Sequence, residues 1–157
     1  MFTIHIRDLE DTQKLGIYLG KTATAGNNII LSGDLGAGKT TLTKGIGEGL
    51  GIKQMIKSPT YTIIREYEQG RIPFYHMDVY RINEGLDEMG LEDYFEGNGL
   101  SVIEWGEMLG EEKPVDYLKI DIQKLEDENQ RDIHLISVGQ KAEEWLEKIQ
   151  KEWSNTQ

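Results

Sequence analysis

The stretch Gly33-Asp34-Leu35-Gly36-Ala37-Gly38-Lys39-Thr40 decides the fold of this chain of 157 residues. It matches the pattern G-x-x-x-x-G-K-[ST] in full, and it lies between a short apolar run, 28–32, and a helical segment, 40–50. Glycines in this pattern let successive backbone N–H groups point at phosphate oxygens, and the helix that follows adds the positive end of its dipole. The sequence therefore predicts a nucleotide-binding loop between a buried strand and a helix.

Two side chains at the end of this loop carry its chemistry. We expect Lys39 to neutralise the β and γ phosphates of a nucleotide, and the hydroxyl of Thr40 to bind Mg²⁺. Gly36 and Gly38 are expected to adopt backbone angles, or to allow a close approach, that a Cβ would block. The pattern thus indicates a P-loop NTPase.

A P-loop enzyme also needs a carboxylate at the end of a neighbouring buried strand, where it holds Mg²⁺ or orients the attacking water. Glu104 fits this requirement because it directly follows the apolar run 100–103. Asp78 is the rival, since it follows 73–77 in a segment predicted to form one strand of a hairpin. The alternative for Glu104 is that it is only the first solvated residue after its strand.

Residue patterns at the two ends of the chain predict further elements. Alternation over 2–7 predicts a strand, and Asp8 or Asp11 is expected to cap the helix that follows it. The apolar spacing over 140–153 predicts an amphipathic helix that buries its two tryptophans.

The middle of the chain contains two predicted hairpins, one from 61–67 and 72–80 and the other from 117–125 and 131–137. Together with the loop and its flanking strand and helix, they indicate an α/β fold. We predict a single P-loop NTPase domain over 1–157, with a mixed central sheet and helices on both faces.

Charge is distributed unevenly along the chain, which has 17 Lys and Arg, 28 Asp and Glu, and a formal net charge of −11. Between Arg81 and Lys113 there is no basic residue, but there are ten carboxylates: Glu84, Asp87, Glu88, Glu92, Asp93, Glu96, Glu104, Glu107, Glu111 and Glu112. A net acidic chain is not expected to bind nucleic acid by itself, because such binding needs clustered Lys and Arg. The acidic segment is interpreted as a docking face for a basic partner surface or, alternatively, as a solvated face.

Composition sets further limits. The absence of cysteine excludes disulfides, thiolate metal sites and cysteine nucleophiles. No signal-peptide pattern is present, and no apolar run approaches the roughly 18–20 residues of a membrane span. We therefore expect a cytoplasmic protein. A GTPase is disfavoured because no N-K-x-D is present, and a small nucleotide kinase because 82–112 contains no Arg for a lid.

Five segments taken together resemble the TsaE family, the small P-loop ATPases of bacterial tRNA threonylcarbamoyladenosine (t6A) biosynthesis. Their order and spacing are similar to those of the family over residues 28–107. The segments are GDLGAGKTT (33–41), KSPTYT (57–62), HMDVYR (76–81), GLEDYF (90–95) and VIEW (102–105).

The resemblance implies ATP and Mg²⁺ as cofactors and assigns roles to particular residues. The implied ATP-binding residues are Thr12, Asp34, Leu35, Gly36, Ala37, Gly38, Lys39, Thr40 and Thr41. Thr40 and Glu104 are the implied metal ligands, and the implied catalytic residues are Glu104, Asp78 and Lys39. Ser58-Pro59-Thr60 resembles the family's switch-type loop near the γ-phosphate.

The implied function is ATP hydrolysis that supports t6A formation on tRNA. The implied partners are the carbamoyl-transfer subunits TsaD and TsaB, with tRNA contacted mainly through that assembly and no membrane involved. A stand-alone small-molecule or nucleoside kinase is the alternative, and a nucleotide-gated scaffold is a third interpretation. His76 is expected to be a packed or capping residue, and Trp105 to lie either in the core or beside the nucleotide pocket.

Overall fold

The structure is a computed structural model that describes residues 1–34, 36–57, 64–79 and 90–155. In chain order its elements are β1 (Phe2–Ile6), α1 (Leu9–Thr22), β2 (Asn28–Gly33), α2 (Lys39–Gly49), β3 (Ile64–Tyr67), β4 (Phe74–Asp78), α3 (Leu91–Phe95), β5 (Leu100–Glu104), a 3-10 helix (Gly106–Glu112), β6 (Tyr117–Lys124), β7 (Arg131–Val138) and α4 (Gln140–Asn155).

The strands form one mixed sheet in the order β1-β7-β6-β2-β5-β4-β3. Central strand β2 pairs in parallel with β5 on one side and with β6 on the other, and β4 runs parallel to β5. Both predicted hairpins are confirmed, as the antiparallel pairs β3–β4 and β6–β7. Because the chain passes from β5 on one side of β2 to β6 on the other, the carboxyl end of β2 is a topological switch point, where α/β sheets open a crevice for ligands.

Helices cover both faces of the sheet, as predicted, but unequally. The long helices α1, α2 and α4 bury one face in a large core that includes Leu15, Leu42 and Trp145. On the other face, α3 and the 3-10 helix cover a smaller cluster around Met77 and Ile103.

Helices α1 and α2 contact each other through their backbones along a row that we call the glycine seam: Gly16, Gly20, Gly45 and Gly49. A Cβ added to Gly16 would lie 2.4 Å from the carbonyl oxygen of Leu42, and one added to Gly49 would lie 2.1 Å from that of Ile17. Side chains larger than hydrogen are therefore excluded unless the helices move apart. The seam fixes α2, whose first residue is Lys39, against α1.

The two ends of the chain follow the sequence prediction closely. Asp8 is the residue that caps α1, accepting a hydrogen bond from the backbone N–H of Asp11. Asp11 itself lies in the first turn, and its carboxylate pairs with Arg7. The two tryptophans of α4 are buried, as predicted. No helix in the described ranges is long and apolar enough to cross a membrane.

Candidate functional site

The glycine-rich loop joins β2 to α2 at the switch point. Gly36 and Gly38 have φ angles of 78° and 116°, which confirms that the loop uses conformations that a side chain would disfavour. The backbone N–H of Ala37 donates to the carbonyl oxygen of Asp34 at 3.0 Å and closes the turn. Leu35, which was predicted to bind ATP, lies outside the described residues.

Helix α2 begins directly after the loop, with Gly38 as its N-cap residue. No side chain of the described residues caps this end, so the first N–H groups of the helix keep their hydrogen-bonding capacity for a ligand. The positive end of the helix dipole therefore lies at the loop, where it favours an anion.

Two parallel strands place the two predicted carboxylates side by side. In the pairing of β4 with β5, Asp78 is the register partner of Glu104. Since β5 also pairs with β2, both residues lie at the same edge of the sheet as the glycine-rich loop. The structure thus places Glu104 and Asp78, which the sequence left as alternatives, next to each other.

Glu104 is the centre of a small group of ionisable side chains. Its Oε2 lies 2.8 Å from Nε2 of His76, and its Oε1 lies 3.8 Å from Nζ of Lys39. Only 16 % of the Glu104 side chain is exposed, so it is not simply the first solvated residue after its strand. Lys39, the predicted phosphate ligand, is thus held by a carboxylate at the mouth of the loop.

These neighbours keep Glu104 ionised. Burial raises the pKa of this carboxyl group, but the hydrogen bond from His76 and the attraction of His76 and Lys39 outweigh it, so that the pKa lies below the ordinary value of 4.5. Nδ1 of His76 is buried and has no hydrogen-bond partner within the described residues.

The pairing of His76 with Glu104 was missed at the level of sequence, where His76 was expected only to pack or to cap. The expected packing is present, because His76 is 3 % exposed and stacks on Phe74 with the ring centroids 6.1 Å apart. The spacing of two between His76 and Asp78 was the available signal, since alternate residues of a strand face the same side.

Trp105 follows Glu104 and lies beside the loop rather than in the core. It is 44 % exposed, and its φ of 63° is unusual for a residue with a side chain. Nζ of Lys39 lies 5.4 Å from the centroid of the indole ring, within the range of a cation–π interaction. Of the two positions expected for Trp105, the structure shows the one beside the predicted nucleotide pocket.

A cavity of about 610 Å³ collects these groups: Gly33, Asp34, Gly36, Gly38, Lys39, Thr40, Thr41, Asp78, Glu104 and Trp105. A second cavity of about 600 Å³ adjoins it, shares Lys39 and Trp105 with it, and extends to Asp121 and Lys124 on β6. Together the two cavities form an extended space beside the backbone of the glycine-rich loop, in a size range typical of small-molecule sites.

The oxygen donors in the first cavity suit Mg²⁺ better than a transition metal. Thr40 supplies an exposed hydroxyl on the first turn of α2, and Glu104 supplies an ionised carboxylate. No group of three or more His, Asp or Glu residues in the described part of the chain forms a metal site on its own. Mg²⁺ is usually held by one or two protein oxygens together with water and phosphate, so this donor set fits it.

Thr12 lies behind the loop rather than in the cavity. It is fully buried, and its Cγ2 lies 3.8 Å from the position of a Cβ added to Gly38. Its hydroxyl has no hydrogen-bond partner in the described ranges. The predicted switch-type loop, Ser58-Pro59-Thr60, lies outside the described residues.

Part of the acidic segment lies away from the glycine-rich loop. Glu92, Glu96, Glu111 and Glu112 line a cavity of about 510 Å³ that shares no residue with the two cavities at the loop. Glu104 and Glu107 are exceptions, because Glu104 lines the first loop cavity and Glu107 lines the second. Glu84, Asp87 and Glu88 lie outside the described residues.

The chain matches, over residues 6–133, the family model described as "Threonylcarbamoyl adenosine biosynthesis protein TsaE". It is 42 % identical over 142 residues to the tRNA threonylcarbamoyladenosine biosynthesis protein TsaE of Bacillus subtilis, covering 90 % of this chain and 89 % of that one. The protein of the same name from Nostoc is 49 % identical over 125 residues, which are 76 % of each chain.

One solved structure is similar over nearly the whole length. The crystal structure of YdiB from Bacillus subtilis superposes with a TM-score of 0.84 and 37 % sequence identity, covering 96 % of this chain and 94 % of that chain. The similarity therefore includes the order of strands and helices that positions the glycine-rich loop.

Proposed function

The chain belongs to the TsaE family and has a role in the t6A modification of tRNA, and within that role we propose that it binds and hydrolyses ATP. One observation carries this proposal. Lys39, Glu104 and Asp78 border a single cavity with the backbone of the glycine-rich loop, which is the set of groups that phosphoryl transfer requires.

In the proposed reaction the γ-phosphoryl group of ATP is transferred to water. Backbone N–H groups of the loop and the ammonium group of Lys39 stabilise the negative charge that develops on the phosphate oxygens. Lys39 is available for this task because its contact with Glu104 is an ion pair at 3.8 Å rather than a short hydrogen bond.

The two carboxylates divide the remaining work. A carboxylate whose pKa lies below the ordinary value is a weak base, so Glu104 suits binding and orientation better than the removal of a proton. Thr40 and Glu104 would hold Mg²⁺, which when bound neutralises charge on the β and γ phosphates. Asp78, next to Glu104 in the sheet, is the second group able to orient the attacking water.

The proposed partners are TsaD and TsaB, and tRNA is contacted mainly through them. The proposed location of this assembly is the cytoplasm. The chain's own charge supports this division, because a net charge of −11 opposes direct binding of a polyanion. The acidic segment provides a surface for a basic partner. This surface leaves the nucleotide site accessible, since the cavity lined by Glu92, Glu96, Glu111 and Glu112 is separate from the loop cavities.

The proposed function is tested by measuring ATP hydrolysis and t6A formation in a complete reaction mixture, with and without this protein, TsaD, TsaB and tRNA. We expect ATP turnover that the partners and tRNA increase, and t6A formation that requires this protein. ATP binding without turnover in any mixture would support a nucleotide-gated scaffold instead. A phosphorylated product from a panel of metabolites, without the partners, would support a kinase.

The docking surface is tested separately by reversing Glu88, Glu92 and Asp93 to lysine. A matched control reverses the exposed Glu143, Glu144 and Glu147 on α4, which changes the net charge by the same amount. Loss of complex formation with TsaD and TsaB in the first variant alone supports the acidic docking face. If the first variant forms the complex as well as the wild type does, the segment is a solvated face.

A further inference from the structure

Arg131 is a buried cation at the start of β7. It pairs in register with Lys124 of β6 and with Ile6 of β1, and it is only 8 % exposed. Burying a guanidinium group is unfavourable unless its donors are satisfied, so its partners indicate what it does.

The partners of Arg131 are main-chain carbonyl groups from two separate segments. Its Nε donates to the oxygen of Ala37 at 2.9 Å, and its Nη2 lies 3.4 Å from the oxygen of Gly36. Its Nη1 donates to the oxygens of Glu128 and Gln130 at 2.6 and 2.8 Å. No carboxylate in the described ranges forms an ion pair with it, so its donors are committed to the glycine-rich loop and to the turn between β6 and β7.

The bond to Ala37 fixes the direction of the next N–H group. The carbonyl of Ala37 and the N–H of Gly38 belong to one planar trans peptide unit and point in opposite directions. With the carbonyl held by Arg131, the N–H of Gly38 is directed to the other side of the loop. Gly38 lines the cavity that also contains Lys39 and Glu104, whereas Ala37 is 1 % exposed.

Lys124 shows that the loop rests against the same hairpin. A Cβ added to Gly36 would lie 3.2 Å from Nζ of Lys124, which is the register partner of Arg131. The end of the β6–β7 hairpin is therefore adjacent to the loop, and Arg131 donates hydrogen bonds to the backbone of both.

We propose that Arg131 is a positioning residue that holds the Ala37–Gly38 peptide so that the N–H of Gly38 faces the phosphate groups of a bound nucleotide. This inference rests on the proposed function of the cavity as a nucleotide site. Arg131 acts through the loop backbone and is not expected to touch the nucleotide.

The test compares Arg131→Met and Arg131→Lys with Arg71→Met. Arg71 is a matched control, because its Nη2 also donates to main-chain carbonyls, those of Gly20 and Ala23 at 2.8 and 2.7 Å, but at the end of α1. Each variant is checked for folding by circular dichroism and then titrated with ADP in the presence of Mg²⁺. Where turnover is measurable, kcat and KM for ATP are determined as well.

We expect Arg131→Met to weaken ADP binding about tenfold and to raise KM for ATP with little change in kcat, as the loss of one charge-assisted positioning contact does. Arg131→Lys, which keeps one donor for the Ala37 carbonyl, is expected to lie between Arg131→Met and the wild type. Arg71→Met is expected to bind ADP as the wild type does.

Wild-type affinity in a folded Arg131→Met, or equal weakening in Arg71→Met, overturns the role of Arg131. Failure of the wild-type protein to bind ADP overturns the proposed function instead. If no variant at this position folds, the Nε–H signal of Arg131 in the NMR spectrum of the wild-type protein decides. A change in the chemical shift of this signal when ADP is added supports the proposal, and a signal that ADP leaves unchanged contradicts it.

Discussion

Glycine performs different tasks in two neighbouring regions, the glycine seam and the glycine-rich loop. In the seam the glycines are helical, and they are required because the backbone of the other helix occupies the position of a Cβ. In the loop, Gly36 and Gly38 have positive φ angles, and their backbone borders an open cavity. The seam thus fixes α2 in the fold, whereas the backbone of the loop borders a cavity that is open to a ligand.

The two regions also differ in the kind of contacts that they contain. The seam contains backbone and apolar contacts, and its contribution is expected to be to stability. At the edge of the loop, Glu104 is joined to Lys39 by an ion pair and to His76 by a hydrogen bond. Substitutions in the seam should therefore lower stability, whereas substitutions at the loop edge should lower nucleotide binding or turnover.

The largest expected effect is that of Lys39→Ala on ATP turnover. Removing the ammonium group that stabilises the transferred phosphoryl group should lower kcat/KM by at least about 10²–10³-fold. The measurement is the rate of phosphate release in the complete mixture with TsaD, TsaB and tRNA. Lys44→Ala, at an exposed position of the same helix, is the control and should retain wild-type turnover. Near-normal turnover in Lys39→Ala would falsify the ATPase assignment.

The second largest effect is expected from Glu104→Gln, which keeps the shape of the side chain but removes its charge. Turnover should fall about 10²-fold, while the Kd for ATP should change less, because the orientation of Mg²⁺ and water by this carboxylate matters most in the transition state. The parallel variant Asp78→Asn shows how the two carboxylates divide the work. Unchanged turnover in Glu104→Gln, together with lost turnover in Asp78→Asn, would move the role of orienting water to Asp78.

A smaller effect, confined to stability, is expected in the seam. Gly45→Ala places a Cβ 2.7 Å from the carbonyl oxygen of Gln13 and should lower the free energy of unfolding by about 1–3 kcal/mol. In Gly47→Ala, on the same helix, the new Cβ meets only the side chain of Ile56, so the free energy of unfolding should change by less than about 1 kcal/mol. Urea unfolding measures both. Equal stability of the two variants would show that the helices separate readily.

The smallest expected effect is the pH dependence of stability at Glu104. Because the pKa of this group is lowered in the folded protein, its ionised form stabilises the fold above the ordinary value of 4.5, and this contribution is lost as the pH falls through the lowered pKa. The wild type and Glu104→Gln should therefore differ more in their free energy of unfolding at pH 7 than at pH 3. A difference that is independent of pH contradicts the charge network around Glu104.

Local patterns in the sequence predicted much of the fold and of the candidate site. The loop is a contiguous motif, and Glu104 follows an apolar run, so both could be recognised without knowledge of the tertiary structure. Asp8 and Asp11 were equivalent in sequence, and only the geometry of the helix start distinguishes them.

Long-range contacts were not predictable in this way. His76 reaches Glu104 across two paired strands, 28 residues apart, and Arg131 reaches Ala37 across 94 residues. The spacing of two between His76 and Asp78 predicts only that they share a strand face; the partners themselves are brought together by the sheet. The glycine seam had a visible signal, the spacing of four between Gly16 and Gly20 and between Gly45 and Gly49, but its meaning depends on which helices pack together.

The most direct test of the central claim is a crystal structure of the protein with ADP and Mg²⁺. The account predicts that the phosphate groups bind to the backbone N–H groups of residues 36–40, with Lys39 turned from Glu104 toward the β-phosphate. Phosphate groups bound at any other part of the molecule, with the cavity between Lys39 and Glu104 left empty, would contradict it.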